Sequence, residues 1–542
     1  MKKLILTSVY ILFVALCFGQ DWIWAKQIGG LSADKGGAKI DANNNIYCSG
    51  VFYGSCFFDN DTLYSSGVND IFLAKYSGDG NELWAKRIGG SNPTNMDEWF
   101  GSSIIDNDNN CLYFSGTFYG TLTIDGHTVN SSGGIEMFFA KFDLAGKCQW
   151  LKKAGSYGDD SDRALCLDSD GNIYFMGKLA HNGTFDTISL AKGTFLSKLD
   201  TSGNILWARN EITGGTSTSL KLLNDNLIMT GTTAGYTVII DTMALTSTSF
   251  SDGFIARLDL NGNCISAKRF KGHLPVYAGD FEFDSFNNIY LSGIFTDTLT
   301  IDGTTLVANN DNSDMFFCKM DSVFNLKWVK QSYSSGIYGA HASGVARDSE
   351  GKFYIAGYFS GNATFGSFNV SSSITKDMFI ARYDETGECN GIRHFGEAEA
   401  GSIATGSVNI DSNGDLIVAG GFLNTVNLGT TTLTSHGYQD MFFAKTGAIV
   451  GIEELKAANN NTLLIYANPT TGKCTVTVPD DFLNAHDLML SIFDNTGKII
   501  QQRKLEMNEG KIKVDLEQEA KGIYNVTLGN GKKVYGGRVV FQ

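Results

Sequence analysis

Proline is almost missing from this chain, with four in 542 residues, and collagen-like or polyproline architectures are thereby excluded. Charge is also sparse. Only 18% of residues are charged while 43% are apolar, so the chain is not a disordered polyampholyte and can bury a sizeable core. The formal net charge of −15 is spread along the sequence, and without a basic stripe there is no electrostatic grip on phosphates, which argues against nucleic acid as a partner. Beyond residue 20 no run reaches the 18 or more apolar residues of a membrane-spanning helix. The ten cysteines form no CxxC, and the seven histidines form neither HExxH nor a cluster, so no metal site is expected. One cysteine lies in the N-terminal segment, leaving an odd nine that cannot all pair internally. They read as small buried hydrophobes.

Glycine is abundant, at 63 residues, or about 12% against a usual ~7%. That much glycine points to many tight turns and hence to β-structure. Residues 1–20 place Lys2 and Lys3 before an apolar run from Leu4 to Phe18, the pattern of a secretory signal peptide. Bulky Leu16 before Cys17 disfavours an acylation signal.

The chain repeats itself. A Trp-Ala-Lys type strand can be aligned on Trp24, Trp84, Trp150, Trp207, Ser266, Trp328 and Gly391, with spacings of 60, 66, 57, 59, 62 and 63. An Ile/Leu-Tyr-x-x-Gly element ends at Gly50, Gly116, Gly177, Gly231, Gly293, Gly357 and Gly420. An Asp-x-Phe-x-Ala-Lys element starts at Asp70, Glu136, Gly193, Asp252, Asp314, Asp377 and Asp440. With a short strand before the second element, each unit supplies four strands. The strands are apolar at consecutive positions, as expected when each sheet is covered on both faces. Radial stacking of such units is the logic of a β-propeller. The seventh unit stops after Lys445 without its Trp-Ala-Lys strand, and the chain opens with that strand at residues 22–28. The expectation is an all-β, seven-bladed propeller over 21–446, closed by the N-terminal strand. A linear β-solenoid is the rival.

Residues 447–461 read as a linker, and 462–542 as a small Ig-like β-sandwich of alternating strands and Gly-Lys turns. Asn468-Pro469-Thr470-Thr471-Gly472, Phe493-Asp494-x-x-Gly497-Lys498, Gly522-Ile523-Tyr524 and a last strand ending at Phe541 closely resemble the type A C-terminal sorting domain of the Bacteroidetes type IX secretion system. The resemblance implies passage through the outer membrane, with the type IX machinery as partner, and a secreted or cell-surface location. The propeller units likewise resemble the bacterial seven-bladed β-propeller repeat family. That resemblance implies a fold and little chemistry.

Two of the four connections per unit are tight. The other two vary in every unit and belong on the opposite face, as in residues 89–101, 155–163, 271–280, 331–341 and 396–401. A binding surface is expected where loops vary on a rigid scaffold. Trp99, Tyr157, Arg163, His273, Tyr277, Tyr338 and His341 offer stacking planes and hydrogen bonds for sugars or peptides, unless they only pack the loops onto the ring. Acidic turns at 106–110, 168–172 and 411–415 resemble calcium loops, but the same residues are what hairpin turns require, so no cofactor is expected, with calcium as the alternative. Asp159, Asp160, Asp162 and Arg163 form the densest charged loop, which solvation explains equally well. No catalytic motif stands out, so the expected role is non-catalytic binding or adhesion to glycan or protein. A polysaccharide-cleaving enzyme is the alternative.

Overall fold

The computed structural model describes residues 22–30, 35–90, 99–233, 235, 237–246, 251–309, 312–372, 376–396, 402–429, 431–449, 463–468, 470–479, 482, 488–493, 499–505, 510–530 and 533–541. Residues 1–20, expected to be a signal peptide, most of the expected linker and part of the 89–101 and 396–401 loops therefore lie outside the described residues. Among those described there is no α-helix. The chain divides into two compact units, Asp21–Gly366 with Val370–Ala448, and a second that takes in Ile449–Gln542.

In the larger unit, strands pair antiparallel in sets of four. The first set is Lys35–Ile40, Ile46–Phe57, Thr62–Tyr76 and Glu82–Ile88. The second is Trp99–Asp106, Cys111–Phe118, Glu136–Asp143 and Cys148–Gly155, and the third Ser161–Leu167, Ile173–Leu179, Gly193–Leu199 and Ile205–Thr213. The fourth is Gly215–Leu223, Asn226–Thr233, Gly253–Asp259 and Cys264–Gly272, and the fifth Val276–Phe283, Ile289–Thr296, Ser313–Met320 and Leu326–Ser334. The sixth is Ala340–Arg347, Phe353–Phe359, Asp377–Tyr383 and Cys389–Phe395. The last combines Ser402–Ile410, Leu416–Leu428 and Thr431–Thr446 with Trp22–Gly30, which pairs from Trp22↔Thr446 to Ile28↔Met441. These antiparallel sheets are consistent with a propeller.

Turn chemistry sets the hairpins. Asp143 Oδ1 accepts the Ala145 and Lys147 amides at 3.0 and 2.9 Å, and Gly146 closes the turn at φ 85°. Asp200 does the same with Ser202 and Asn204, both at 2.9 Å, and also takes the Asn204 side chain at 2.8 Å. A short carboxylate thus replaces backbone partners within the turn. The strands that follow are buried on both faces, as in Glu136–Asp143, where the first five residues are all buried.

Each set carries a device the sequence reading did not include. Between its second and third strands the chain makes an extra hairpin, or a continuation of both strands, that reaches the outer strand of the preceding set. Gly183–Phe185 pairs with the second set through Ala154↔Phe185, and Thr237–Ile240 pairs with the third through Ile212↔Ile240. Gly29↔Phe57 and Gly30↔Cys56 repeat the contact between the last set and the first. Four strands per unit was therefore too few. The missed signal is short alternating β-sequence around an Asp turn, such as TLTIDGHTVN at 121–130.

The recurring tryptophan and the recurring turn glycine explain each other. Gly80, Gly146, Gly203, Gly262 and Gly387 all have φ near 80° and lie against Trp24, Trp84, Trp150, Trp207 and Trp328 of the preceding set. A Cβ at Gly203 would stand 3.0 Å from the Trp150 ring. In the fourth set the tryptophan position is Ser266, and the matching turn residue of the fifth is buried Phe324, at φ 69°, in place of glycine. The lysine two residues after the tryptophan reaches the next set as well, as in Lys26–Asp59 at 2.7 Å and Lys86–Asp125. These partly exposed pairs add at most about 1 kcal/mol each.

The smaller unit places the strands Ile465–Tyr466, Lys473–Thr477 and Lys511–Asp515 in one sheet. Ile499–Leu505, Leu488–Phe493, Gly522–Gly529 and Val534–Phe541 form a second. A single buried cluster including Val476, Leu490, Val514, Leu528 and Val539 is drawn from both.

The tryptophan contact can be separated from backbone strain. Gly203 and Gly303 share φ values of 80° and 83°, but a Cβ at Gly303 meets nothing within 4 Å. Both alanine variants carry the left-handed penalty of roughly 1–2 kcal/mol, and only Gly203→Ala also overpacks, at about 1–3 kcal/mol more. Denaturant unfolding is expected to show Gly203→Ala as clearly the less stable. Equal losses would reject the contact.

Candidate functional site

The first strands of all seven sets line one channel of about 930 Å³. Most contribute a run of consecutive residues, as in Arg163–Leu167 and Thr218–Leu222. The charged lining residues are Lys39, Arg163, Lys221, Asp280, Glu282 and Arg347. Lys221 Nζ lies 3.0 Å from Asp280 Oδ1 and 2.6 Å from Glu282 Oε1. Desolvation is the largest influence on Asp280, yet Lys221 and the Val345 amide, which donates to Asp280 Oδ2 at 3.1 Å, hold its carboxyl below the ordinary range. Desolvation, then repulsion by Lys221, pushes the Lys39 amine down. Of this channel the sequence reading picked out Arg163 alone. Lys39, Lys221, Asp280 and Glu282 carried no motif, because a channel exists only once the strands are gathered.

The other sequence-selected residues lie outside the channel lining, and most meet neighbours of their own chain. Tyr157 is exposed and stacks on His181, with centroids 4.2 Å apart and its hydroxyl 2.9 Å from Nδ1. His273 Nδ1 is 2.7 Å from Asp297 Oδ2. Tyr338 and His341 are brought together: Lys376 Nζ sits 4.6 Å from the Tyr338 ring and 4.5 Å from Tyr358, on which His341 stacks at 4.8 Å. Burial, then Lys376, pushes His341 down to about 4, so this imidazole is neutral at pH 7. Trp99 and Tyr277 are exposed near the starts of their strands.

The carboxylates are committed to structure. Asp70 is fully buried, accepting the Ser66 amide at 2.9 Å and the Arg87 guanidinium at 2.5 Å, and a Cβ at Gly89 would collide with it. Asp314 takes Asn309 and Ser334 amides at 3.0 and 3.1 Å and Gln331 at 2.8 Å. The repeated acid before phenylalanine is thus an anchor for loop backbone. Asp160 is not the solvated residue expected of the 159–163 loop. It is buried, accepts the Ser156 amide and hydroxyl and the Ala180 amide, and burial pushes it up. Asp162 is pushed up to about 6 by desolvation, against a 2.7 Å hydrogen bond from Ser115 Oγ. In the acidic turn at 168–172, Asp168 Oδ1 accepts the Asp170 and Asn172 amides at 3.1 and 2.8 Å. Among the described residues no group of three or more His, Cys, Asp or Glu is arranged for a metal. Eight of the nine described cysteines are buried.

In the smaller unit Asn468 Oδ1 accepts the Val540 amide at 2.9 Å, and its Nδ2 donates to Arg538 C=O at 2.5 Å. Gly472, at φ 137°, donates to Thr470 Oγ1 at 3.2 Å, while its carbonyl accepts the Leu516 amide at 2.7 Å. Gly522 opens the strand on which Tyr524 donates to Ala520 C=O. The Asn-Pro-Thr-Thr-Gly run therefore fastens the last strand. Pro469, Asp494, Gly497 and Lys498 lie outside the described residues.

Residues 464–542 match the secretion system C-terminal sorting domain. This match supports the type IX tail, export by that machinery and a secreted or cell-surface destination. No helix among the described residues is long and apolar enough to cross a membrane. The chain is 24% identical over 406 residues to an uncharacterized WD repeat-containing protein of Acanthamoeba polyphaga mimivirus, covering 63% of this chain and 26% of that relative. The chain thus spans about a quarter of the relative's length. Among solved structures, a protein of unknown function from Dyadobacter fermentans aligns at TM-score 0.36 and 8% identity over 65% of this chain and 95% of its own. A puromycin-hydrolyzing peptidase of Mycobacterium tuberculosis aligns at TM-score 0.38 and 10% identity over 82% and 59%.

A buried carboxylate of the third set accepts no hydrogen bond from the described residues. Glu211 is the extra residue of a bulge, since Thr194 pairs with Ile212 and Phe195 with Asn210. Its side chain is buried, neither oxygen has a hydrogen-bond partner, and Arg209 Nε lies 3.7 Å away. Burial pushes Glu211 from 4.5 to about 8, Arg209 opposing and Asp241 and Asp259 adding to it. Its folded-state proton affinity is raised, so the stability held by neutral Glu211 is fully present below about pH 4.5 and is lost as pH rises towards 8. Glu211→Gln is expected to flatten the fall in Tm between pH 5 and 9. Parallel Tm profiles for variant and parent would refute the assignment.

Proposed function

We propose that this chain is a secreted or cell-surface β-propeller acting as a non-catalytic binding module for glycan or protein, delivered outside by its sorting domain. The seven four-stranded sets are its blades, and Trp22–Gly30 completes the last one. Closure is supported by the single channel onto which all seven first strands open. A closed ring leaves no unpaired edge between its ends. The observation that carries the binding reading is the commitment of the conspicuous acids. Asp70, Asp160, Asp168 and Asp314 accept amides or ion-paired side chains, whereas an acid–base pair needs carboxyls free to meet a substrate. The proposed contacts are Trp99, Tyr157, His273, Tyr277, Tyr338 and His341, on or beside loops that differ between blades, and Arg163 on the channel wall.

Removing Trp22–Gly30 is expected to abolish the cooperative melting transition of the larger unit. An unchanged Tm would refute closure. Deleting 464–542 is expected to retain the protein in the periplasm, and undiminished protein in the medium or at the surface would reject the export route. For the ligand, the mature chain is applied to glycan and protein arrays. Trp99→Ala, Tyr277→Ala or Tyr338→Ala is expected to weaken a hit several-fold at unchanged Tm, a stacked aromatic being worth about 0.5–1.5 kcal/mol beyond its area. Polysaccharide turnover abolished by Asp162→Asn would instead establish an enzyme.

A further inference from the structure

The connection from the fifth set to the sixth exposes apolar side chains on a backbone that is tied down. Ile337 is 81% exposed and Tyr338 beside it 43%. The Gly336 and Tyr338 amides donate to Ser360 C=O and Oγ at 3.0 and 2.9 Å, and Gly339 C=O accepts the Ser360 amide at 3.1 Å. Ser335 donates its amide to Asn362 C=O and accepts the Asn362 amide on Oγ, both at 2.9 Å. Glycine is required on either side of the exposed pair. A Cβ at Gly336 would collide with the Ser360 carbonyl, and one at Gly339, which turns at φ 65°, with Ser313 C=O. The ordering cost that a loose loop meets on binding is therefore already met in the fold. Lys376 adds charge to this patch. Its ammonium lies over the Tyr338 and Tyr358 rings and makes no ion pair with a described residue. At the corresponding connection between the fourth and fifth sets, Leu274 and Tyr277 are each 43% exposed. Ile337 has neither a ring plane for a sugar to stack on nor a group to bond its hydroxyls, so a glycan would leave it uncovered. Its cover has to be apolar, and rigid apolar anchors are what protein interfaces are built around. The chain as a whole carries −15 and repels a broadly acidic partner. What complements the patch is an apolar surface with a carboxylate placed for Lys376.

We propose that the Ile337–Tyr338 loop anchors a protein partner, which covers both side chains with apolar groups and sets a carboxylate against Lys376. This rests on the binding reading above and decides within it for protein over glycan. The two tyrosine rings hold the Lys376 ammonium by cation–π attraction, so its charge is presented beside the anchor and in a fixed place.

Selection of a random-peptide phage library on the immobilised mature full chain, run beside the glycan array, tests the proposal. Enriched peptides are expected to combine Asp or Glu with bulky apolar residues. A synthetic copy of the strongest is expected to bind at least about tenfold more weakly to Ile337→Ser and to Lys376→Glu, at unchanged Tm. Replacing the acid of that peptide by lysine is expected to restore binding to Lys376→Glu. Failure to enrich any peptide, or binding indifferent to both substitutions, would overturn the proposal. A glycan hit that needs Tyr338 and not Ile337, with no such peptide, would keep the binding reading and reject the protein partner. Polysaccharide turnover with no such peptide would reject both.

Discussion

A tryptophan ring resting on the backbone of a glycine in the next set of strands is the contact on which the larger unit depends. It explains two conserved-looking features of the repeat at once, because only a residue without Cβ can hold the left-handed turn and admit the ring. It is also directional. Trp84 reaches forward to Gly146, Trp150 to Gly203 and Trp24 to Gly80, so the set that holds the N-terminal strand grips the first set as the first, second, third and fifth grip their successors. Of the two junctions without the tryptophan, that between the fourth and fifth sets obeys the same steric rule, whereas Gly414 of the seventh set meets nothing within 4 Å. Ser266 removes the ring, and Phe324 supplies a buried side chain from the other side of the junction.

The hairpin tabs and lysine pairs act across the same junctions. Because every junction is made by side chains of two consecutive repeats, stability accumulates between neighbours, as in other repeat proteins. It also confines most acids to scaffold work. Repeated carboxylates that would look catalytic in isolation are anchors for loop amides, and Asp70, Glu136, Asp377 and Asp440 each lie beside a glycine whose missing Cβ leaves room for the acid. What remains for function is non-repeating: the rim aromatics, and the charges facing the channel.

Those two candidate regions differed in how visible they were. The loop aromatics stood out because variable loops interrupt a regular period, and the structure brings Tyr338 and His341 to one cluster around Lys376 and Tyr358. The channel did not. Lys39, Lys221, Asp280 and Glu282 sit in three different repeats, and no local spacing joins them. The buried state of Asp160 was equally hidden, since a run of acids reads as solvated until the loop around it is closed by Ser156 and Ala180.

The sequence by itself determined the all-β class, the period near 61 residues, the turn positions and the separate C-terminal module with its sorting signature. Each of these is written in local chemistry: alternation or continuous burial in strands, Asp and Gly at turns, a fixed order of short motifs. Only the tertiary structure decided which outer strand each hairpin tab would join, which carboxylates would be consumed by backbone, and which charges would face one another across a lumen. Those outcomes depend on contacts that no local motif specifies, such as Phe185 with Ala154, Ala180 with Asp160 and Asp280 with Lys221, and their energies arise from desolvation and close packing that no isolated segment possesses.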